Sequence, residues 1–129
     1  MDIEKEKKGW REVRYDKKFA NAFRGLGVFC STTETIHLLI YLFSAVLVII
    51  LGFYFHVSSL EWVALVLAIG FTVIAEVFNT AIEIDIDLTS PEYHPYARDT
   101  KDVAAAAVLL SVFVSIIIGA IVFLPKILW

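Results

Sequence analysis

Four oxygen-bearing side chains, Glu76, Asn79, Glu83 and Asp87, stand three or four residues apart within sequence that is otherwise apolar. At about 100° per residue on a helix they share one narrow stripe, while Asp85 points the opposite way. An ionisable group at membrane depth is expensive, which makes it a functional-site hypothesis by default. Carboxylates and an amide oxygen on one face suit Mg²⁺, a hard cation usually held by one or two carboxylates together with substrate phosphates. Glu83 fits that role, helped by Asn79 or by a distant carboxylate. Glu34, just ahead of the first apolar run, is the evident distant candidate. Glu76 lies one to two turns deeper, where poor solvation of its carboxylate suits a general base for a lipid hydroxyl. The structural alternative is a set of buried carboxylates paired with basic residues to fix helix register. Partners for such pairs are scarce, since no Lys or Arg lies between Arg24 and Arg98.

Further polar groups cluster beside this stripe. Lys101 is a point charge suited to phosphate oxygens, and Asp102 is placed as an N-cap or near-N-cap of the helix that follows. The segment Ser90-Pro91-Glu92-Tyr93-His94-Pro95 is stiffened by two prolines, and His94 is within its reach of a phosphate or simply solvated. His37 and His56 read as interfacial residues. There is no GxxxxGK[ST] loop, no kinase-type glycine loop and no Cys/His zinc pattern, so any use of ATP lies outside the common nucleotide-binding folds.

The elements that must position these residues follow from composition. The chain has 129 residues, 59% of them hydrophobic, and a mean hydropathy of +0.76. Soluble domains run nearer 45–50% apolar, so the expected class is an all-α membrane protein forming a single domain over 1–129. One cysteine, Cys30, excludes an intrachain disulfide framework. The first thirty residues lack an apolar core of the signal-peptide kind, so no cleavable leader is expected. Three spans are expected, at 35–57, 61–88 and 102–125. In the middle one only Trp62 to Ala75 is free of polar interruption, a rise of about 21 Å against a hydrocarbon core of roughly 30 Å. It spans only if Glu76 and Asn79 sit near the edge of the hydrocarbon, shielded by other helices. Ahead of the first span, 11–30 reads as an amphipathic surface helix. Tyr15, Phe19, Ala22, Phe23 and Leu26 form its apolar stripe, and Arg11, Arg14, Lys17, Lys18 and Arg24 occupy much of its other face. Ala104–Ala107, Ser111, Ser115 and Gly119 are small enough for close helix packing in the third span.

Eight of the eleven Lys and Arg residues precede residue 25, and Arg98 and Lys101 lie between the second and third spans. The positive-inside rule therefore puts the N-terminus and the 88–101 segment in the cytoplasm and the C-terminus outside. The carboxylate stripe then approaches the face where nucleotides are found. A chain this short encloses little volume, so a polar site between its helices would need a second copy to seal it.

These residues resemble a known family. The string Glu76-x-x-Asn79-Thr80-Ala81-Ile82-Glu83-x-x-x-Asp87, then Glu92-Tyr93-His94, then Lys101-Asp102 before an alanine-rich helix, is similar to the bacterial integral-membrane diacylglycerol kinases, a family that includes the undecaprenol kinases. The resemblance runs from about Trp62 to Pro125. It implies a homotrimer in the bacterial cytoplasmic membrane, with composite sites between protomers and MgATP-dependent phosphorylation of a lipid alcohol. Carried over by position, Glu76 resembles the catalytic base, with Asn79 beside it, and Glu34 and Glu83 resemble the metal-coordinating carboxylates. Glu34, Glu83, Glu92, Tyr93, His94, Lys101 and Asp102 match the nucleotide-contacting set, with Arg14 as an N-terminal nucleotide contact and Asp87 in support. Ile36-His37, Glu61-Trp62 and Phe123-x-Pro125-Lys126 look more like the Gram-positive-type branch, which favours undecaprenol over diacylglycerol. The implied partners are ATP, the lipid alcohol and further copies of the chain, with Mg²⁺ as cofactor and no nucleic acid.

Two other classes compete. A small oligomeric proton-coupled transporter would use Glu76 as its coupling site, although transporter carboxylates usually sit nearer the bilayer midplane. A non-catalytic membrane subunit would leave the stripe without a purpose.

Overall fold

A computed structural model describes residues 18–129. Four helices follow one another: α1 (Lys18–Thr32), α2 (Thr35–Tyr54), α3 (Ser59–Thr89) and α4 (Pro95–Leu128). The chain divides into two compact units, 1–31 and 32–129. The first contributes α1, on which Phe19, Ala22, Phe23 and Leu26 share a stripe opposite Asn21 and Arg24. Its expected start at residue 11, with Arg11, Arg14, Tyr15 and Lys17, lies outside the described residues.

The second unit holds three helices of 20, 31 and 34 residues, each long and apolar enough to cross a membrane. Their outward faces carry large apolar side chains such as Leu42, Phe43, Val66, Leu67, Leu109 and Ile121, all exposed. That arrangement suits hydrocarbon as the surrounding solvent and is rare on soluble domains.

Polar signals in the sequence set the helix ends. The turn after α2 places His56 at φ 49°, with Val57 N–H donating to Gly52 O at 3.1 Å and His56 N–H to Phe53 O at 3.2 Å. This is the paired bonding of a Schellman stop, with His56 in the left-handed position usually given to glycine. α3 opens on a capping box: Ser58 N–H donates to Glu61 Oε2 at 2.6 Å, and Glu61 N–H donates to Ser58 Oγ at 3.3 Å. Lys126 Nζ reaches Glu61 Oε1 at 3.1 Å and ties the last turn of α4 to this cap.

α4 begins earlier than the sequence suggested. Pro95 occupies its first turn and His94 caps it, Nδ1 accepting from Tyr96 N–H at 3.3 Å. Proline is preorganised for that position. Asp102, expected to cap this helix, instead lies two turns inside it and faces Arg98 at 3.6 Å. The charged run 96–102 is therefore the first part of α4 and not a loop.

α3 and α4 pack extensively, while α2 touches α3 only lightly. At one end the interior is apolar, formed by Val57, Leu65, Val122 and Phe123 with Trp62 and Phe55 against them. Here α2 leans on α3 through Gly52. A Cβ added at that position would come within 2.5 Å of the Trp62 indole, which also meets the Phe53 ring with centroids 5.0 Å apart. Membrane helices associate through such close van der Waals packing. Gly52→Ala should therefore lower stability by about 1–3 kcal/mol, as overpacked interiors do. The unfolding midpoint in detergent measures it, and an unchanged midpoint would show that the indole is not held there.

Candidate functional site

At the other end of the bundle the interior turns polar. Glu76, Asn79 and Thr80 are buried on α3, at 5%, 8% and 5% exposure. The helical period that pairs them in sequence turns them together toward the start of α2. Thr33 and Thr80 share a hydroxyl hydrogen bond at 3.2 Å across this junction. Between the elements lies a cleft of about 460 Å³ whose walls include Glu34, His37, Glu76, Asn79, Glu83 and Asp87. One cavity thus gathers the whole predicted stripe and its distant carboxylate.

The groups divide by depth. α3 rises about 46 Å over its 31 residues, longer than the hydrocarbon core, so its far end extends beyond it. Glu83 is half-buried there and Asp87 exposed. Asn79 Nδ2 donates to Glu83 Oε1 at 3.1 Å, fixing that carboxylate one turn above the amide. Asn79 Oδ1 is buried without a hydrogen-bond partner. A buried carbonyl oxygen in that state has lost its water without compensation and gains from a donor or a cation. Glu34 stands at the α2 N-cap, makes no side-chain capping bond and is exposed on the cleft wall.

Glu76 has no Lys or Arg in ion-pair range among the described residues. Two titratable side chains of α2 stand near it instead: Tyr41, and His37 with Nδ1 3.8 Å from Glu76 Oε1. That separation is too long for a hydrogen bond but close enough for His37 to bias the carboxylate's orientation. The register-fixing alternative therefore loses its expected partner.

His37, Tyr41, Thr33 and Thr80 line the same cleft and were not singled out from the sequence as site residues. A signal for two of them was present, since Glu34, His37 and Tyr41 share one stripe at i, i+3 and i+7 and so face α3 together.

Lys101 is drawn to the site through Asp87, with Nζ 2.5 Å from Oδ1. It sits at the mouth of the cleft and not on its walls. Glu92, Tyr93 and His94 occupy the exposed α3–α4 connection, and none of them lines the cleft; His94 is engaged in capping α4. Asp102 is exposed beside Arg98. Arg14 lies outside the described residues.

Among the described residues no three His, Cys, Asp or Glu groups converge tightly enough to hold a metal ion. The cleft is thus no all-protein cage. Glu83, the orphaned Asn79 Oδ1 and Glu34 suit instead a hard cation that keeps waters and takes further oxygens from phosphates, which is how Mg²⁺ usually binds.

Comparison with known proteins finds kinases. The family model described as prokaryotic diacylglycerol kinase matches residues 20–123. The undecaprenol kinase of Bacillus subtilis (strain 168) is 38% identical over 113 residues, covering 88% of this chain and 90% of that protein. A diacylglycerol kinase of Helicobacter pylori (strain J99) is 32% identical over 73% of this chain and 77% of its own length. One from Synechocystis is 37% identical over 69% of this chain and 51% of its own. No solved structure matches the chain.

Proposed function

This chain belongs to the prokaryotic diacylglycerol kinase family, and from that premise we propose that it is a MgATP-dependent kinase of a membrane lipid alcohol, with undecaprenol preferred to diacylglycerol. The kinase activity and its membrane helices come with the family; the transporter and non-catalytic alternatives fall away with it. The observation that carries the finer reading is the buried Glu76 carboxylate beside an unsatisfied Asn79 oxygen, in a polar cleft at one end of three apolar helices. Chemistry at that depth meets a lipid hydroxyl on one side and a soluble nucleotide on the other.

In the proposed mechanism Glu76 accepts the proton of the lipid hydroxyl as its oxygen bonds to the γ-phosphorus. The bond from that phosphorus to the bridging oxygen breaks, and ADP leaves. Phosphoryl transfer asks mainly for positioning and charge stabilisation, so a small scaffold suffices. His37 orients the base. Asn79 holds Glu83, and Glu83 with Glu34 and Asn79 Oδ1 would hold Mg²⁺. When bound, the ion neutralises charge on the phosphate oxygens. Lys101 exchanges its contact with exposed Asp87 for phosphate, with Glu92, Tyr93, His94, Asp102 and Arg14 as the outer nucleotide contacts.

The site reads as composite. On a single chain Glu34 and Asp87 stand exposed and no three-ligand cluster forms among the described residues, which supports a homotrimer whose neighbouring protomer closes the cleft. The basic residues up to Arg24 and those in the first two turns of α4 favour a cytoplasmic N-terminus and outward C-terminus in the bacterial inner membrane, with α1 lying in the interface.

The preference for undecaprenol rests on the relative that bears that name and matches most of the chain. Purified protein with MgATP and each lipid in mixed micelles tests it. We expect kcat/KM for undecaprenol to exceed that for dioleoylglycerol by at least tenfold, about 1.4 kcal/mol of discrimination. Equal or reversed values would reject the preference.

A further inference from the structure

Glu76 is a carboxylate buried to 5% exposure, with no Lys or Arg in ion-pair range among the described residues. A group in that state keeps one orientation only by accepting hydrogen bonds. The cleft around it has few donors left to give one. Asn79 Nδ2 is bound to Glu83, and the Thr80 hydroxyl is shared with Thr33. From α4 the cleft receives only Ala105 and Val108, which carry no polar side-chain atom. His37 Nδ1 stands 3.8 Å from Glu76 Oε1, beyond hydrogen-bond range.

Tyr41 supplies what the others do not. It is half-buried, lines the same cleft, and its phenol stands beside the Glu76 carboxylate. It follows His37 by four residues and so shares its helix face, about 6 Å further from the start of α2. With α2 entering the membrane at Thr35, His37 flanks the base from the nucleotide side and Tyr41 flanks it from the hydrocarbon side. A tyrosine suits that depth, because its ring is apolar and its single O–H is a directed donor at the tip.

We propose that Tyr41 is a positioning residue for the base: its phenol O–H donates to one Glu76 oxygen and leaves the other facing the lipid hydroxyl. The phenol touches neither lipid nor nucleotide, and acts on the rate through Glu76 alone. This inference rests on the lipid-kinase reading and adds what holds its base in place.

Tyr41→Phe tests it, since the variant loses one oxygen and keeps the ring that fills the cleft wall. Transfer from MgATP to undecaprenol is measured for wild type, Tyr41→Phe, Glu76→Gln and the double variant. Infrared spectra of wild type and the two single variants are read in the same detergent, without substrate. We expect kcat to fall about tenfold or more in Tyr41→Phe, the scale of one hydrogen bond to a charged group. KM for ATP and for undecaprenol should stay within about twofold. In the Glu76→Gln background the same substitution should change kcat by less than about twofold, because no base is left to position. The carboxyl stretching band that Glu76→Gln removes from the wild-type spectrum should shift in Tyr41→Phe.

An unchanged kcat overturns the proposal, as does a band that does not move. Equal losses in the two backgrounds also overturn it, since Tyr41 would then act independently of Glu76. So does a raised KM for undecaprenol with kcat kept, which would put the phenol on the lipid instead. If wild type phosphorylates no lipid alcohol yet the band shifts in Tyr41→Phe, the kinase reading fails and the hold of Tyr41 on Glu76 stands.

Discussion

Glu76→Gln is expected to lower kcat for phosphoryl transfer to a lipid alcohol by about 10²–10⁴-fold, with little change in KM for ATP or lipid. General-base catalysis contributes about that factor, or about 3–5 kcal/mol of barrier. The amide keeps the shape of the side chain but cannot accept the proton, so only a transition-state interaction is lost, and that loss appears in kcat. The fold should survive. Glu76 is 5% exposed and has no Lys or Arg in ion-pair range among the described residues. Replacing it removes a buried charge without orphaning a cation, so the thermal midpoint should hold or rise. Steady-state kinetics beside a melting curve in detergent separate the two effects. Full activity in Glu76→Gln would remove the base from the mechanism.

The second large effect is expected at Glu83. Its carboxylate is held by Asn79 Nδ2 at 3.1 Å and stands one turn above the orphaned Asn79 Oδ1. Glu83→Gln should lower kcat/KM for MgATP on the order of 10²-fold or more, the scale of losing one preorganised electrostatic contact to a reacting phosphoryl group. Asn79→Ala should cost less, about 10–100-fold, as the loss of a group that orients a metal ligand does. Both variants should need more Mg²⁺ for half-maximal rate, while KM for the lipid stays near wild type. That split distinguishes a metal role from general damage. A Glu83→Gln enzyme with an unaltered Mg²⁺ dependence would place the ion elsewhere.

The Glu76–Asp87 stripe was legible in the sequence because two independent regularities met there. Helical spacing put four polar groups on one face, and the cost of charge in hydrocarbon made them conspicuous. The demand that Glu76 and Asn79 be shielded by other helices is met, since both are buried. His37 escaped notice because a histidine near the end of an apolar run reads as interfacial; its approach to Glu76 depends on how α2 meets α3. The early start of α4 was hidden by charge. Arg98, Asp99, Lys101 and Asp102 look like a solvated loop, yet Pro95 in the first turn with His94 as cap starts a helix that runs on through them. Gly52 was unreadable for a different reason: its need for no side chain comes from Trp62, ten residues on and on another helix. Local periodicity carries face and depth, while contacts between helices carry the rest.

Following the γ-phosphate of labelled ATP into lipid tests the central claim most directly. Purified, folded protein in detergent with Mg²⁺ and undecaprenol should place the label in an organic-extractable lipid phosphate, and Glu76→Gln should abolish nearly all of it. A wild-type preparation that is folded and transfers no label to undecaprenol, diacylglycerol or any other lipid alcohol would contradict the account.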